Sequence, residues 1–354
     1  MANSPLSAAP VAAPAAPAVR GRAGWLIARV DLLLRLGLLG IILIAAAIFT
    51  VRTIPTGRLV DIGQSTFISI GNLQDIGRQM AVVGVIAIGE TFVIITAGID
   101  LSVGSLIGIA GVLTANAFLG GWSLPAVVVA ILLFSLAIGL VNGFLVASAK
   151  LPPFIVTLGM LGILRGVAYL AGNGLNSALP TSGDGAAFAT WVTGTPAGIP
   201  TIFIVLAVIG ILSAIFLRFT RRGRYIYAIG SNPESVRLAG INVRASLLTV
   251  YALSGVLAGV AGMLLTGRLN GANPNAGTSY ELDAIAAAVL GGASLFGARG
   301  TIFGTFLGVL LVNVLANGID LIGIEPHIQQ VVEGALLIII VWVDQWRKRR
   351  IASV

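Results

Sequence analysis

Apolar segments of roughly 20 residues, each long enough to cross the hydrocarbon of a bilayer, recur along almost the whole sequence. The stretch from Leu124 to Ala147 contains no charged residue at all. In lipid, every backbone N–H and C=O must find its partner within the protein, which leaves only helices and closed barrels as spanning structures. Long unbroken apolar runs, rather than alternating ones, select helices. Composition agrees: with mean hydropathy +1.02, 57% hydrophobic residues and 10% charged residues, a water-facing fold would leave large apolar patches exposed. The expected fold class is therefore an all-α polytopic integral membrane protein.

A net charge of +8 would point to nucleic acid in a soluble chain, but here the arginines fall between the apolar runs and read as topology signals. The sequence has no cysteine, which removes disulfides, thiolate metal sites and cysteine nucleophiles. Residues 1–22 are rich in alanine and proline and are expected to form a disordered cytoplasmic tail. Because the basic residues follow this tail rather than precede an apolar core, the first helix reads as an uncleaved anchor.

About ten membrane segments are expected, some short or broken. They are Leu32–Thr50, Met80–Ala97, Leu101–Leu119, Leu124–Ala147, Pro153–Ala171, Ile202–Phe219, Ser246–Thr266, Tyr280–Leu290, Thr301–Leu321 and Ile328–Trp346. The more polar stretch Val51–Gln79 is expected to hold a loop or short helix outside the membrane. A single membrane domain would then cover 23–346, with a cytoplasmic loop at 220–245 and a basic cytoplasmic tail at 347–354. Placing the N-terminus inside puts Lys150, the arginines between Arg218 and Arg244, Arg299 and the RKRR tail on the cytoplasmic side, and leaves Arg52, Arg58 and Arg268 outside. An even number of spans satisfies that asymmetry, so both termini are expected in the cytoplasm.

Polar interruptions mark two places, and irregular backbone at membrane depth persists only where protein or a water-filled cavity satisfies it. The first is ITAGIDLSVGS, with Gly98, Asp100, Ser102, Gly104 and Ser105. Asp100 reads foremost as a cap for the following helix, ahead of substrate contact. Glu90, inside an apolar run, must face the protein interior or an aqueous path. The second is VLGGASLFGARGTIFG, where Gly291, Gly292, Gly297, Gly300 and Gly304 surround Arg299. Taken singly these glycines read as close helix contacts; as a pair of clusters they read as the centre of a transporter. Asn116, Asn142, Asn313 and Asn317 add neutral amides in apolar helices, able to bond a neighbouring helix or to line a pore for a polyol.

Between two spans lies RFTRRGRYIYAIGSNPESVRLAGINVRASLL. Ser231 or Asn232 can cap a short helix, Pro233 fits its first position, Glu234 its first turn, and Gly240 ends it. An apolar side from Val236, Leu238 and Ala239 has the form of a docking helix; a membrane-surface helix held by Arg237 and Arg244 is the alternative.

In GIDLSVGS at Gly98–Ser105, VNG at Val141–Gly143, LPPFIVTLG at Leu151–Gly159, GRYIYAIGSNPESVRLAGINV at Gly223–Val243, GGASLFGARGTIFGT at Gly291–Thr305 and NG at Asn317–Gly318, the sequence resembles the membrane permeases of bacterial ribose, xylose and related monosaccharide ABC importers. Ala298 stands where the family pattern more often has glycine. The resemblance implies a multi-pass inner-membrane subunit that moves a monosaccharide from periplasm to cytoplasm. It further implies a second permease copy, a cytoplasmic ABC ATPase that uses ATP and Mg, and a periplasmic sugar-binding protein. Asn232, Pro233, Glu234, Ser235, Val236, Arg237, Leu238, Ala239 and Gly240 would be the helix that couples to the ATPase. Candidate path residues are Glu90, Asp100, Ser102, Asn116, Asn142, Asn313 and Asn317.

The motor is expected elsewhere, since neither Lys150 nor Lys348 sits in a phosphate-binding Gly-Lys-Ser/Thr motif, and His327, the single histidine, cannot make a zinc-protease pair. No cofactor or metal is expected on this chain, and it does not read as an enzyme. Rival readings are an ion-coupled secondary carrier using Glu90 and Asp100, or an ABC permease for a nucleoside or branched-chain amino acid. An intramembrane enzyme ranks last, because no nucleophile and base pair up in the sequence.

Overall fold

A computed structural model describes residues 22–54 and 65–324, with six isolated positions beyond them, Val331, Gly334, Ala335, Ile338, Trp342 and Gln345; for 22–35 it describes the backbone alone. Among these residues the chain forms twelve α-helices. They are α1 (Arg22–Arg52), α2 (Ile70–Ile95), α3 (Val103–Leu119), α4 (Leu124–Ala147), α5 (Pro153–Ala171) and α6 (Gly183–Thr193), then α7 (Thr201–Phe219), α8 (Arg221–Ser231), α9 (Pro233–Leu238), α10 (Val243–Leu269), α11 (Tyr280–Leu290) and α12 (Ile302–Leu321). Two short strands, β1 (Ser177–Ala178) and β2 (Gly271–Ala272), pair antiparallel with Ser177 opposite Ala272.

Local sequence sets most of the boundaries. Ser69 caps α2 by accepting from Asn72 N, and Thr301 caps α12 by accepting from Gly304 N. Prolines occupy the first turns of α4 and α5, where a missing N–H costs nothing. Asn270 ends α10 in the left-handed conformation at φ 51°.

At the centre are α2 and α10. Met80 to Ile95 is buried on every face, packed against α7, α10, α11 and α12. α10 lies against α4 with almost no side chain between them: a Cβ on Gly255 would meet the backbone of Ser135 and Gly139. Such small-residue contacts are how helices associate in lipid, where no hydrophobic driving force draws them together. α1 leans on α12 through Leu38 and Ile42 against Leu307 and Leu311, and through Phe49 against Val314. The outer helices α4, α5 and α7 expose Leu133, Ile163, Leu170, Ile211 and Leu212, an apolar surface that a bilayer accounts for.

Among the described residues six helices, α2, α4, α5, α7, α10 and α12, are long and apolar enough to cross a membrane. The expected bounds of α4, α5, α11 and the C-terminal ends of α3, α7 and α12 coincide with the structure. α2 differs: it begins at Ile70, ten residues before Met80, so much of the polar stretch assigned to a loop or short helix is helix continuous with the span. Its polar side chains are used there. Gln74 donates to Gly198 O, Arg78 bonds Asp75, and buried Asn72 faces Asn317. The helix α6 was not expected at all, because eleven residues with four alanines and glycines in the first half give no apolar run; Phe188 and Val192 nevertheless anchor it. The alanine-proline tail up to Gly21, Arg58, His327 and the basic tail 347–354 lie outside the described residues, as does all but the six isolated positions of the segment Ile328–Trp346.

Candidate functional site

The interruption after α2 is built on Glu90, whose side chain is wholly buried because every face of α2 at that depth is covered. The chain leaves the helix through Ala97, held at φ 61°, and doubles back so that Asp100 N donates to Glu90 Oε1 at 3.0 Å. Asp100 Oδ1 accepts from Ser102 N at 3.1 Å and Ser102 Oγ at 2.5 Å, and its Oδ2 accepts from Ser254 Oγ of α10 at 2.9 Å. Asn142 of α4 donates to Ser102 Oγ at 2.9 Å. α3 begins at Val103 with Ser102 at its N-cap and no side-chain cap bond, so Asp100 does not cap the helix as expected; it holds Ser102 in the turn ahead of α3 and ties that turn to α10. Hydrogen bonds to a charged group contribute about 1.5–3 kcal/mol each when the alternative is a buried, unpaired acceptor. Tyr251, also on α10 and wholly buried, brings its hydroxyl against Gly98, where a Cβ would come within 2.7 Å of it.

The second interruption closes on itself and on the first. Ser294 N donates to Arg299 O, and Ala298 N, on a residue with φ 62°, donates to Ile95 O at 2.9 Å at the end of α2. Gly291 faces Gly304 so closely that a Cβ on either would run into the other's backbone. α8 completes the junction: Tyr227 donates to Gly300 O at 2.8 Å, and a Cβ on Gly230 would collide with Ile95 O and Ala298 N. The two glycine-rich breaks, far apart in sequence, therefore meet, and the end of α8 is wedged between them.

From that wedge the chain runs directly into α9. Asn232 caps it, accepting from Glu234 N at 3.1 Å and Ser235 N at 3.0 Å, Pro233 takes the first position, and Gly240 leaves it at φ 78°. Val236 turns inward and is buried, whereas Leu238 and Ala239 are exposed. The apolar side expected from all three is therefore divided between an anchor and an outward surface. Arg237 bonds both oxygens of Glu234, and that bond holds the Glu234 carboxyl below the ordinary carboxylate range. α8 itself buries Gly223, Ile226 and Ile229 and turns its arginines out.

The residues singled out in the sequence do not form one thread. Glu90, Asp100, Ser102 and Asn142 come together as described. Asn116 is exposed and donates to Ala171 O at 2.9 Å, Asn313 donates to Val309 O within its own helix, and Asn317 exchanges two 2.9 Å bonds with Asn72. Sequence reasoning missed Asn72, Tyr251, Ser254 and Gly230. Tyr251 and Ser254 stand three apart on an otherwise apolar helix, a spacing that places both on one face and was the available signal.

The family described as Branched-chain amino acid transport system / permease component matches residues 72–341. The ribose import permease protein RbsC of Escherichia coli K12 is 41% identical over 280 residues, covering 78% of this chain and 87% of that protein. RbsC of Bacillus subtilis 168 is 38% identical, covering 81% of this chain and 88% of its own. The xylose transport system permease protein XylH of Haemophilus influenzae KW20 is 35% identical, covering 80% and 91% respectively. Among solved structures, an ABC transporter of metal-chelate type in an inward-facing conformation shares the fold, with TM-score 0.51 and 15% identity over 87% of this chain and 98% of that one.

Proposed function

Since the chain belongs to the Branched-chain amino acid transport system / permease component family, we propose that it is the membrane-spanning permease of a bacterial ABC importer for a ribose-like monosaccharide. It works in the inner membrane as a transport subunit with no chemistry of its own. The ribose and xylose permeases among its relatives support the substrate class, and the scarcity of charge inside the membrane suits a neutral polyol better than a zwitterion. Both termini face the cytoplasm around a core of about ten membrane segments. The permease domain covers 23–346, with the loop 220–245 on the cytoplasmic side.

The observation that carries this reading is the continuity of α8 and α9 with the two breaks. α9 presents Glu234, Arg237, Leu238 and Ala239 outward as a surface for a cytoplasmic ABC ATPase, which uses ATP and Mg. A displacement of α9 acts on Gly230, and through it on Ile95 and Ala298. A second copy of the chain covers part of the exposed face of α4, α5 and α7, and the sugar passes between the copies. Asn116, with Tyr169 and Asn275, whose side chains bond each other at 2.6 Å, forms a polar mouth. The bonded group of Glu90, Asp100, Ser102 and Asn142 governs the opening of the break behind the path, as do Asn313 and Asn317 for α12. A periplasmic sugar-binding protein delivers the cargo.

Uptake of radiolabelled ribose by cells that express this chain with its ATPase and binding protein tests the proposal. Gly240→Trp places a bulky side chain at a left-handed position next to the docking surface and is expected to reduce uptake at least tenfold while the protein still reaches the membrane. Undiminished uptake by this variant, or uptake by the chain alone driven by an ion gradient, would sink the reading.

A further inference from the structure

Around the pair of acids at the first break, the hydrogen bonds do not close. Among the described residues, Glu90 Oε2, Asn142 Oδ1 and Tyr251 Oη are buried and have no hydrogen-bond partner. All three residues are at most 1% exposed. They belong to one cluster: Glu90 bonds Asp100, Asp100 bonds Ser102, Ser102 bonds Asn142, and Tyr251 lies against Gly98 at the same turn. Buried polar atoms in native proteins nearly always have a partner, so three together call for a group that is not protein.

The chemistry of that group follows from what is missing. The unmet atoms are a carboxylate oxygen, an amide oxygen and a phenolic oxygen, and the only donor among them is the Tyr251 hydroxyl. The cluster is short of positive charge as well. Among the described residues neither acid is bonded to a basic side chain: Arg78 pairs with Asp75 and Arg237 with Glu234, and Arg165 spends its bonds on Pro274 O and Ala276 O. The other titratable group facing this region, Glu281 of α11, packs its carboxylate against Gly104, has its own buried Oε2 unbonded among the described residues and adds a further acid. Asp100, with three donors, is already compensated; Glu90, with one, is not.

The space is small. Gly98 accommodates the Tyr251 hydroxyl only because it lacks a Cβ, and at Gly139 a Cβ would press on the Tyr251 backbone, so the packing leaves no room for a sugar. No three of His, Cys, Asp and Glu gather among the described residues, which argues against a transition metal or a calcium-type cage of several carboxylates. Hard neutral oxygens beside the Glu90 carboxylate suit a monovalent cation.

We propose that Glu90, Asn142 and Tyr251 bind a sodium-class monovalent cation that clamps the α2–α3 break to α4 and α10. The cation is a fixture of the permease, held through the transport cycle. The site is a property of the chain itself and is tested on it alone, so its failure is separate from failure of the sugar-importer reading.

The test uses the purified full chain in nanodiscs, freed of sodium and held at constant ionic strength with choline chloride. Titrating NaCl is expected to bind about one 22Na⁺ per chain, as a single saturable site does, and to raise the thermal midpoint along the same curve. Glu90→Gln keeps the shape of the side chain and is expected to abolish both responses. Tyr251→Phe, which removes one oxygen and leaves the ring packed, is expected to weaken the apparent affinity at least fivefold. Should Glu90→Gln fail to fold, the Tyr251→Phe shift alone decides. Absence of stoichiometric 22Na⁺ binding by the wild type, meaning that protons or water satisfy the cluster, overturns the proposal. So does an unchanged sodium response in both variants.

Discussion

The two interruptions of the membrane core touch each other but are held by different means. At the first, side chains do the holding: the Glu90 and Asp100 carboxylates, the Ser102 and Ser254 hydroxyls and the Asn142 amide. At the second, where the Tyr227 hydroxyl adds a bond to Gly300 O, the closest contacts are backbone on backbone, Gly291 against Gly304 and Gly308 against Ala287. A contact made by side-chain bonds can be weakened one bond at a time. One made by the absence of side chains tolerates no addition. The first is therefore suited to a part that opens and closes, and the second to a fulcrum.

The largest expected effect tests the fulcrum. In Gly304→Ala the new Cβ meets Gly291 O, and α11 must part from α12. Overpacking of this kind costs up to about 3 kcal/mol, so a marked fall in the thermal midpoint of the detergent-purified protein is expected. A midpoint equal to the wild type would show that the second break yields as readily as the first and would erase the contrast.

The middle-sized effect tests the side-chain clamp. Asp100→Asn keeps the outline of the residue but turns an acceptor-only group, which serves Ser102 and Ser254, into one that brings its own donors. A loss of about 2 kcal/mol is expected, followed by the same unfolding measurement. Ser254→Ala, which removes one of those donors, should cost less than Asp100→Asn. If it costs as much, the clamp is a matter of α10 packing and not of the carboxylate.

The difference between the two breaks also explains what could be read from sequence. Their existence was legible, since Gly98 with Asp100 and the run Gly291–Gly304 interrupt apolar segments that lipid would otherwise favour whole. So was α9, because Asn232, Pro233 and Glu234 obey capping rules that act within one turn. What was not legible depends on how helices cross. Nothing local to Gly230 announces that it sits on Ile95 O, and nothing local to Asn72 announces its exchange with Asn317, 245 residues away. The asparagines looked alike in sequence because each is an amide in an apolar helix. They separated in space because Asn116 faces outward near α5, Asn142 bonds Ser102 at the first break, Asn313 bonds its own helix and Asn317 bonds α2. Polarity was legible, whereas direction required the packing.

The smallest effect bears on the seam where the two breaks join. Ala97 and Ala298 both adopt the left-handed conformation, at φ 61° and 62°, and the Ala97 methyl lies close to Gly297. A non-glycine residue there costs about 1–2 kcal/mol, partly offset because glycine has more backbone freedom to lose on folding, about 0.5–1 kcal/mol. Ala298→Gly keeps the N–H that bonds Ile95 O and should stabilise the protein by about 0.5–1 kcal/mol. Ala97→Gly should gain a similar amount at the exposed side of the same seam. Both are read as rises in the thermal midpoint. If the strain serves to keep the seam movable, the stabilised variants transport more slowly as they melt later; if uptake is unchanged, the strain at Ala97 and Ala298 is a cost the fold carries without using it, and movement of the first break begins at Asp100 and not at the seam.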